Sequence, residues 1–187
     1  MEKGQTEKPF LTDVKTLRAR ARQHIEHGPV TPGYKADRET VIKILNEALA
    51  TEIVCVLRYK HHAFMASGIH AQPVAAEFNQ HAIEEQAHAD QIASRIVQLG
   101  GVPNLNPDGL LMRSHSEYAE FKQGNTLIDL IKESLVAERI AIDSYGEMIR
   151  YLSSDDPTTR RMLEGILAME EEHADDLRNL IEELAGG

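Results

Sequence analysis

The chain twice sets a glutamate three residues before a histidine, as Glu85-Gln-Ala-His88 and Glu170-Glu-Glu-His173. On a helix that spacing puts both side chains on one face, one turn apart, where a carboxylate oxygen and an imidazole nitrogen can converge on a cation. Glu52 and Glu138 precede the two motifs, and the step from Glu52 to Glu85 nearly equals the step from Glu138 to Glu170. All six residues fall in apolar seams written in steps of three and four. One seam is Leu45, Leu49, Glu52, Val56, Tyr59 and Ala63; the next is Val74, Phe78, His81, Glu85, His88, Ile92, Ile96 and Leu99. A third runs Ile128, Ile131, Leu135, Glu138, Ile142, Tyr145, Ile149 and Leu152, and the fourth runs Leu163, Ile166, Glu170, His173, Leu177, Leu180 and Leu184. Burying an unpartnered carboxylate costs on the order of several kcal/mol. Protonation with strongly raised pKa values is one escape. Two divalent metals are the other, because four carboxylates match their charge and two neutral imidazoles complete the shells. Hard oxygen ligands with one nitrogen per metal suit iron or manganese. Glu52, Glu85, His88, Glu138, Glu170 and His173 are therefore the candidate metal ligands and the candidate catalytic residues. One Glu-x-x-His is common on surface helices; two of them, each in a seam and each paired with a seam glutamate, carry the reading.

Four long helices are needed to position these residues. The first is predicted from about Arg38 to Ser67, with Asp37 as N-cap and Gly68 beyond its end. The second begins at Pro73 and stops at Gly100-Gly101; the third follows Asn125 or Thr126 and reaches Leu152; the fourth opens on Asp156-Pro157 and continues to about Leu184. Each is about 40–45 Å long at a rise of about 1.5 Å per residue, and each apolar stripe must be buried against another helix. Short connections within the first and second pairs make both pairs antiparallel hairpins. Residues 102–125 are too many for a turn, so a long crossover joins the hairpins, with a short helix expected over His115–Lys122. Measured from hairpin tips near His70 and Asp155, Glu52 and Glu138 stand at nearly equal distances before, and the two Glu-x-x-His motifs at matching distances after. All six side chains thus meet at one level. The halves also repeat: the step from Glu52 to Glu138 is almost the step from Glu85 to Glu170, and a tyrosine follows each lone glutamate two turns on. Tyr59 and Tyr145 accordingly share the face of the metals, where each either hydrogen-bonds a ligand carboxylate or packs as a core tyrosine with a satisfied hydroxyl.

These residues and motifs resemble the bacterioferritin branch of the ferritin-like family over roughly residues 38–184. The resemblance is carried by Leu45-Asn46-Glu47 leading to Glu52 and Tyr59, by His81 to Asp90 with Glu85 and His88, by Leu99-Gly-Gly-Val-Pro-Asn104, and by Glu138 with Glu170 and His173. It implies an all-α, ferritin-like four-helix bundle of two antiparallel hairpins with a long crossover, plus a short N-terminal helix. Glu52 and His88 would hold one iron, Glu138 and His173 the other, and Glu85 and Glu170 would bridge. The implied activity is a ferroxidase serving iron storage and detoxification, with Fe2+ oxidised by O2 or H2O2 at two irons per subunit in a homo-oligomeric shell. The family's haem-ligating methionine follows the bridging glutamate of the second helix, and Gln86 stands there, so no haem is expected. The sequence stops at Gly187, shortly after His173. The family's 24-subunit cages carry a short fifth helix there, so a Dps-like dodecamer or a smaller assembly is expected as readily as a 24-mer. Two alternatives stand beside storage: a non-storage di-metal oxidase or peroxide scavenger using iron or manganese, and a DNA-protecting shell.

Composition bounds the rest. At 187 residues the chain reads as residues 1–36, an N-terminal arm and short helix, followed by residues 37–187, the bundle. The helix of the arm is expected from about Leu11 to His27. One cysteine, Cys55, excludes an internal disulfide framework and a tetrathiolate metal site, and is read as a buried inert thiol. No apolar run approaches the roughly 20 residues of a membrane span, and the start carries no signal-peptide pattern, so a cytoplasmic, membrane-free protein is expected. A net charge of −10 disfavours nucleic acid despite Lys15, Arg18, Arg20 and Arg22. Glu84, Glu171 and Glu172 lie off the seams and read as solvated. His61, His62, His70, His81 and His115 read as structural or surface positions.

Overall fold

The computed structural model describes residues 12–118, 120, 122 and 124–186; the part of the expected N-terminal arm before residue 12 lies outside them. The described chain is all-helical: α1 (Val14–Arg20), α2 (Arg38–Met65), α3 (Ala71–Gln98), α4 (Leu110–Arg113), α5 (Leu127–Leu152) and α6 (Pro157–Gly186). Long helices α2 and α3 pack as one hairpin and α5 and α6 as the other, with further contact between α2 and α5 and between α3 and α6. The connection from α3 to α5 is the crossover, and α4 lies within it against α2.

Local chemistry sets the helix ends. Thr126 and Asp129 form a capping box at the start of α5. At the start of α6 the Asp156 carboxylate accepts from the Thr159 backbone N–H at 2.9 Å. Buried Arg95 from α3 donates to both Asp156 oxygens at 2.9 and 3.1 Å, and the Tyr34 hydroxyl donates to one of them at 2.8 Å. One carboxylate therefore joins the segment before α2 to both hairpins. The α3 helix starts slightly earlier than expected, because Pro73 still lies in the first turn, where a missing N–H is no loss. Gly100, at φ +78°, turns the chain out of α3. Gly101 then passes so close to α2 that an added Cβ would sit 2.8 Å from Ile42 Cγ2.

Two expectations need correction. Among the described residues the N-terminal helix is Val14–Arg20, where a helix to His27 was expected, and a 3-10 turn at Ile25–His27 follows it; neither buries a residue. An apolar stripe with nothing to pack against does not sustain a longer helix. In the crossover the helix is α4, and none of the described residues in His115–Lys122 is helical. There the backbone N–H of His115 donates to Thr51 Oγ1 at 2.9 Å and Arg58 donates to Ser116 Oγ at 2.9 Å, which ties the segment to α2.

The apolar core is divided. One cluster, including Leu45, Leu49, Ile92, Tyr145, Leu152, Leu163 and Ile166, fills one end of the bundle. A second, including Tyr59, Val74, Phe78, Ile131 and Leu177, fills the other. In α5 the buried face includes Ser134, Ala137, Ala141 and Met148, whereas Leu135, Ile142 and Ile149 are only half-buried. Small residues let the helices approach closely along that face.

Candidate metal centre

Between the two apolar clusters lies a layer of charge. Glu52 (α2), Glu85 and His88 (α3), Glu138 (α5), and Glu170 and His173 (α6) are all buried, none more than 4% exposed. Chain direction brings them to one level. The α3 and α6 helices run antiparallel, so His88 faces Glu170 and His173 faces Glu85 across the same three-residue step. His88 Nδ1 lies 3.1 Å from Glu170 Oε1, 3.4 Å from Glu52 Oε2 and 3.5 Å from Glu85 Oε2. His173 Nδ1 lies 3.5 Å from Glu85 Oε1, 3.7 Å from Glu170 Oε2 and 4.0 Å from Glu138 Oε2. Two ligand groups result, Glu52/Glu85/His88/Glu170 and Glu85/Glu138/Glu170/His173, and they share Glu85 and Glu170. All six residues expected from the sequence are thus brought together.

The donor set fits a pair of cations. Glu52 Oε2, Glu85 Oε1, His88 Nδ1, Glu138 Oε2, both Glu170 oxygens and His173 Nδ1 are buried, and none has a hydrogen-bond partner. Groups this deep are ordinarily satisfied; these turn their lone pairs toward one another instead. Burial, then the neighbouring carboxylates, pushes Glu85 and Glu138 well above the usual carboxylate range. Burial opposes charge on the imidazoles, yet the surrounding glutamates outweigh it, pushing His88 up to about 12 and His173 up to about 9. Burial would raise Glu170 too, but its contacts with His173 and His88 hold it at about 2. The layer demands positive charge, which protons or divalent cations can supply.

The two tyrosines bind across the halves. Tyr59 donates to Glu138 Oε1 and Tyr145 donates to Glu52 Oε1. Since α2 and α5 are antiparallel, the same two-turn step puts each tyrosine opposite the other helix's glutamate. Burial, reinforced by those carboxylates, raises both phenols well above their ordinary value, so they remain donors. Cys55 is buried, and burial together with Glu85, Glu138 and Glu52 pushes its thiol up, away from the reactive thiolate.

One nearby residue departs from expectation. Glu84, read as solvated, is half-buried and accepts from His173 Nε2 at 2.9 Å, which turns Nδ1 of that ring toward the centre. His81 is 1% exposed, and its ring stacks on His173 with centroids 4.1 Å apart. The remaining positions sit apart from the centre: His62 is buried against Ser134, His115 lies near Glu47, His70 is exposed, His61 is half-buried, and Glu171 and Glu172 are exposed. Gln86 is exposed and donates to Asp90 at 3.0 Å.

Four-helix bundles with glutamates from two helices and Glu-x-x-His from the other two form the ferritin-like class of di-metal carboxylate proteins. Comparison agrees with that placement. The ferritin-like domain profile matches residues 42–186, and the chain belongs to the ferritin-like family. It is 29% identical to the bacterioferritin BfrA of Mycobacterium tuberculosis over 143 residues, 76% of this chain and 84% of that one. Bacterioferritin from Mycobacterium leprae is 30% identical over 137 residues, 73% of this chain and 80% of the relative. Among solved structures, the dodecameric thioferritin of Bacteroides fragilis, a bacterioferritin-related protein, superposes with a TM-score of 0.77 at 34% identity, covering 81% of this chain and 89% of that one. Dps from Thermosynechococcus elongatus, at 19% identity, shares the fold with a TM-score of 0.73, over 76% and 90% of the two chains. No helix among the described residues is long and apolar enough to cross a membrane.

Proposed function

We propose that the chain is a ferroxidase that oxidises Fe2+ for iron storage and detoxification. The supporting observation is the set of seven buried, unpartnered ligand atoms on six residues, arranged as two groups with two shared glutamates. In this reading Glu52 and His88 bind one Fe2+, Glu138 and His173 bind the second, and Glu85 and Glu170 hold both. Four carboxylates neutralise two Fe2+, and the imidazoles complete the shells without adding charge. Each Fe2+ gives up one electron and becomes Fe3+, and the two electrons, with two protons from solvent, reduce one O2 to H2O2 or one H2O2 to two waters. The protein holds the two metals close together, restricts water between its apolar ends, and orients the glutamates through Tyr59, Tyr145 and the Glu84–His173 pair. The relatives' names, bacterioferritin and dodecameric thioferritin, support an iron-handling, shell-forming role.

The test is anaerobic loading with Fe2+ followed by stopped-flow mixing with O2 or H2O2. Glu138→Ala should abolish the fast oxidation phase while far-ultraviolet circular dichroism keeps its helical signal. Undiminished initial oxidation would defeat the site assignment. Iron counted per subunit after prolonged aerobic loading then separates storage from turnover. Far more than two irons supports storage; a stop at two makes the protein a non-storage di-metal oxidase.

A further inference from the structure

A second set of ligand-type side chains lies beside the dinuclear layer, where α3 and α6 meet solvent. Its anchor is His81, one turn before Glu85, and neither of its ring nitrogens has a hydrogen-bond partner. The ring is fixed between two neighbours. One face stacks on His173, and Tyr59 meets it edge-on at a centroid distance of 5.1 Å and an interplanar angle of 84°. Held so, Nε2 looks out between two carboxylates, 3.3 Å from Glu77 Oε1 and 3.9 Å from Asp176 Oδ2. Glu77 stands one turn before His81 on α3, and Asp176 one turn after His173 on α6. Helical spacing and the antiparallel packing of the two helices together build the cluster.

A buried histidine that serves only packing satisfies its nitrogens with backbone or hydroxyl partners, as His62 does with Ser134. His81 instead aims one nitrogen at two acceptors in non-bonding geometry. The three ligand atoms lie within 4.8 Å of one another. Glu77 and Asp176 have side chains 38% and 44% exposed, so water can reach the remaining coordination positions. One imidazole nitrogen and two carboxylates match the charge of one divalent cation and suit the first transition row.

We propose that Glu77, His81 and Asp176 bind a third divalent cation, open to solvent and in ring contact with the dinuclear centre through His173. None of these three residues is among the six ligands, so this site and the ferroxidase reading fail independently. Its position makes it a holding site from which a cation is one imidazole away from His173.

Co2+ under anaerobic conditions is the probe, because it binds without being oxidised. Cobalt retained per chain at equilibrium dialysis is measured for the unmodified protein and for Glu77→Gln/Asp176→Asn. Both substituted side chains are partly exposed, so folding is not at stake. The double variant should retain one cobalt fewer, and cobalt-soaked crystals should show an anomalous peak bounded by Glu77, His81 and Asp176. No peak there, or an unchanged count in the double variant, overturns the proposal. In Glu138→Gln the His81 peak should persist even as cobalt in the dinuclear layer is lost. Its disappearance together with Glu138 would assign the ion to the dinuclear centre and overturn a separate site.

Discussion

Tyr59 and Tyr145 show how little freedom the buried carboxylates have. Each phenol supplies a hydrogen bond to a glutamate whose other oxygen faces the centre, so the bond orients the ligand as well as satisfying it. Replacing Tyr59 by Phe leaves Glu138 Oε1 buried without its donor, at a cost of about 1–3 kcal/mol. Metal affinity should fall by about 10–100-fold, the usual consequence of losing a group that orients a ligand. Cobalt titration of Tyr59→Phe and Tyr145→Phe tests this, and unchanged affinity in both would show that the phenols merely fill space. Sequence spacing was enough to put the six proposed ligands and both tyrosines on the inward faces, because those positions follow helical periodicity. The contacts of Glu84 and His81 were not legible in the same way. Glu84 reaches His173 from a position off the seam, and the stacking of His81 on His173 depends on how closely α3 and α6 approach. His62 illustrates a different residue-scale effect. Burial first, then the Arg58 charge, lowers its imidazole to about 4, against about 6.5 in an unfolded chain. Below about pH 6.5 the unfolded chain takes the proton first, so stability is complete above that pH and is lost down to about pH 4. The loss is about 2 kcal/mol by pH 5. The drop in urea midpoint between pH 7.5 and 5.0 should therefore be smaller in His62→Gln than in the unmodified protein.

At the scale of the helix, the centre follows from two antiparallel registers. Glu52 with Tyr145 and Tyr59 with Glu138 are matched by the α2–α5 pair; Glu85 with His173 and His88 with Glu170 are matched by α3–α6. The duplicated spacing in the two halves is what lets both registers close on one layer. Helix count, hairpin pairing and the long crossover were readable because they depend on apolar stripes and loop lengths. The short elements were not: α1 buries no residue against the described chain, and residues 115–118 spend their polar groups on α2 rather than on a helix of their own. Asp156 was recognisable as an N-cap, but its Arg95 and Tyr34 partners come from tertiary packing. That pairing sets its importance. Asp156→Ala removes the cap of α6 and leaves the charge of the Arg95 guanidinium, which is only 9% exposed, with the neutral partners Thr159 and Gln98 alone. Breaking a buried pair this way costs about 3–5 kcal/mol. Chemical denaturation should report a loss in that range, and a loss under about 1 kcal/mol, the scale of a cap alone, would mean that Arg95 finds another partner.

The whole molecule leaves apolar surface that one chain cannot cover. Phe64 is 85% exposed, Ile69 92% and Met112 91%, and further large apolar side chains stand out along α2, α3 and α5. Single exposed hydrophobes are ordinary, but clusters on long rigid helices mark association surfaces. Leu57 and Phe64, two turns apart, lie on the same side of α2, away from the Glu52–Tyr59 face that enters the core. Light scattering coupled to size exclusion should therefore find a mass many times the 20.9 kDa of one chain. Leu57→Glu/Phe64→Glu sets like charges on a face that copies of the chain would bury against one another, so the double variant should elute at much lower mass with its helical content intact. The six residues proposed as its dinuclear ligands all come from one chain, so cobalt binding at the centre should survive the loss of assembly. A variant that keeps its full mass would exclude this side of α2 from the contact. Loss of cobalt along with mass would mean that neighbouring copies, and not the bundle alone, hold the four helices in register.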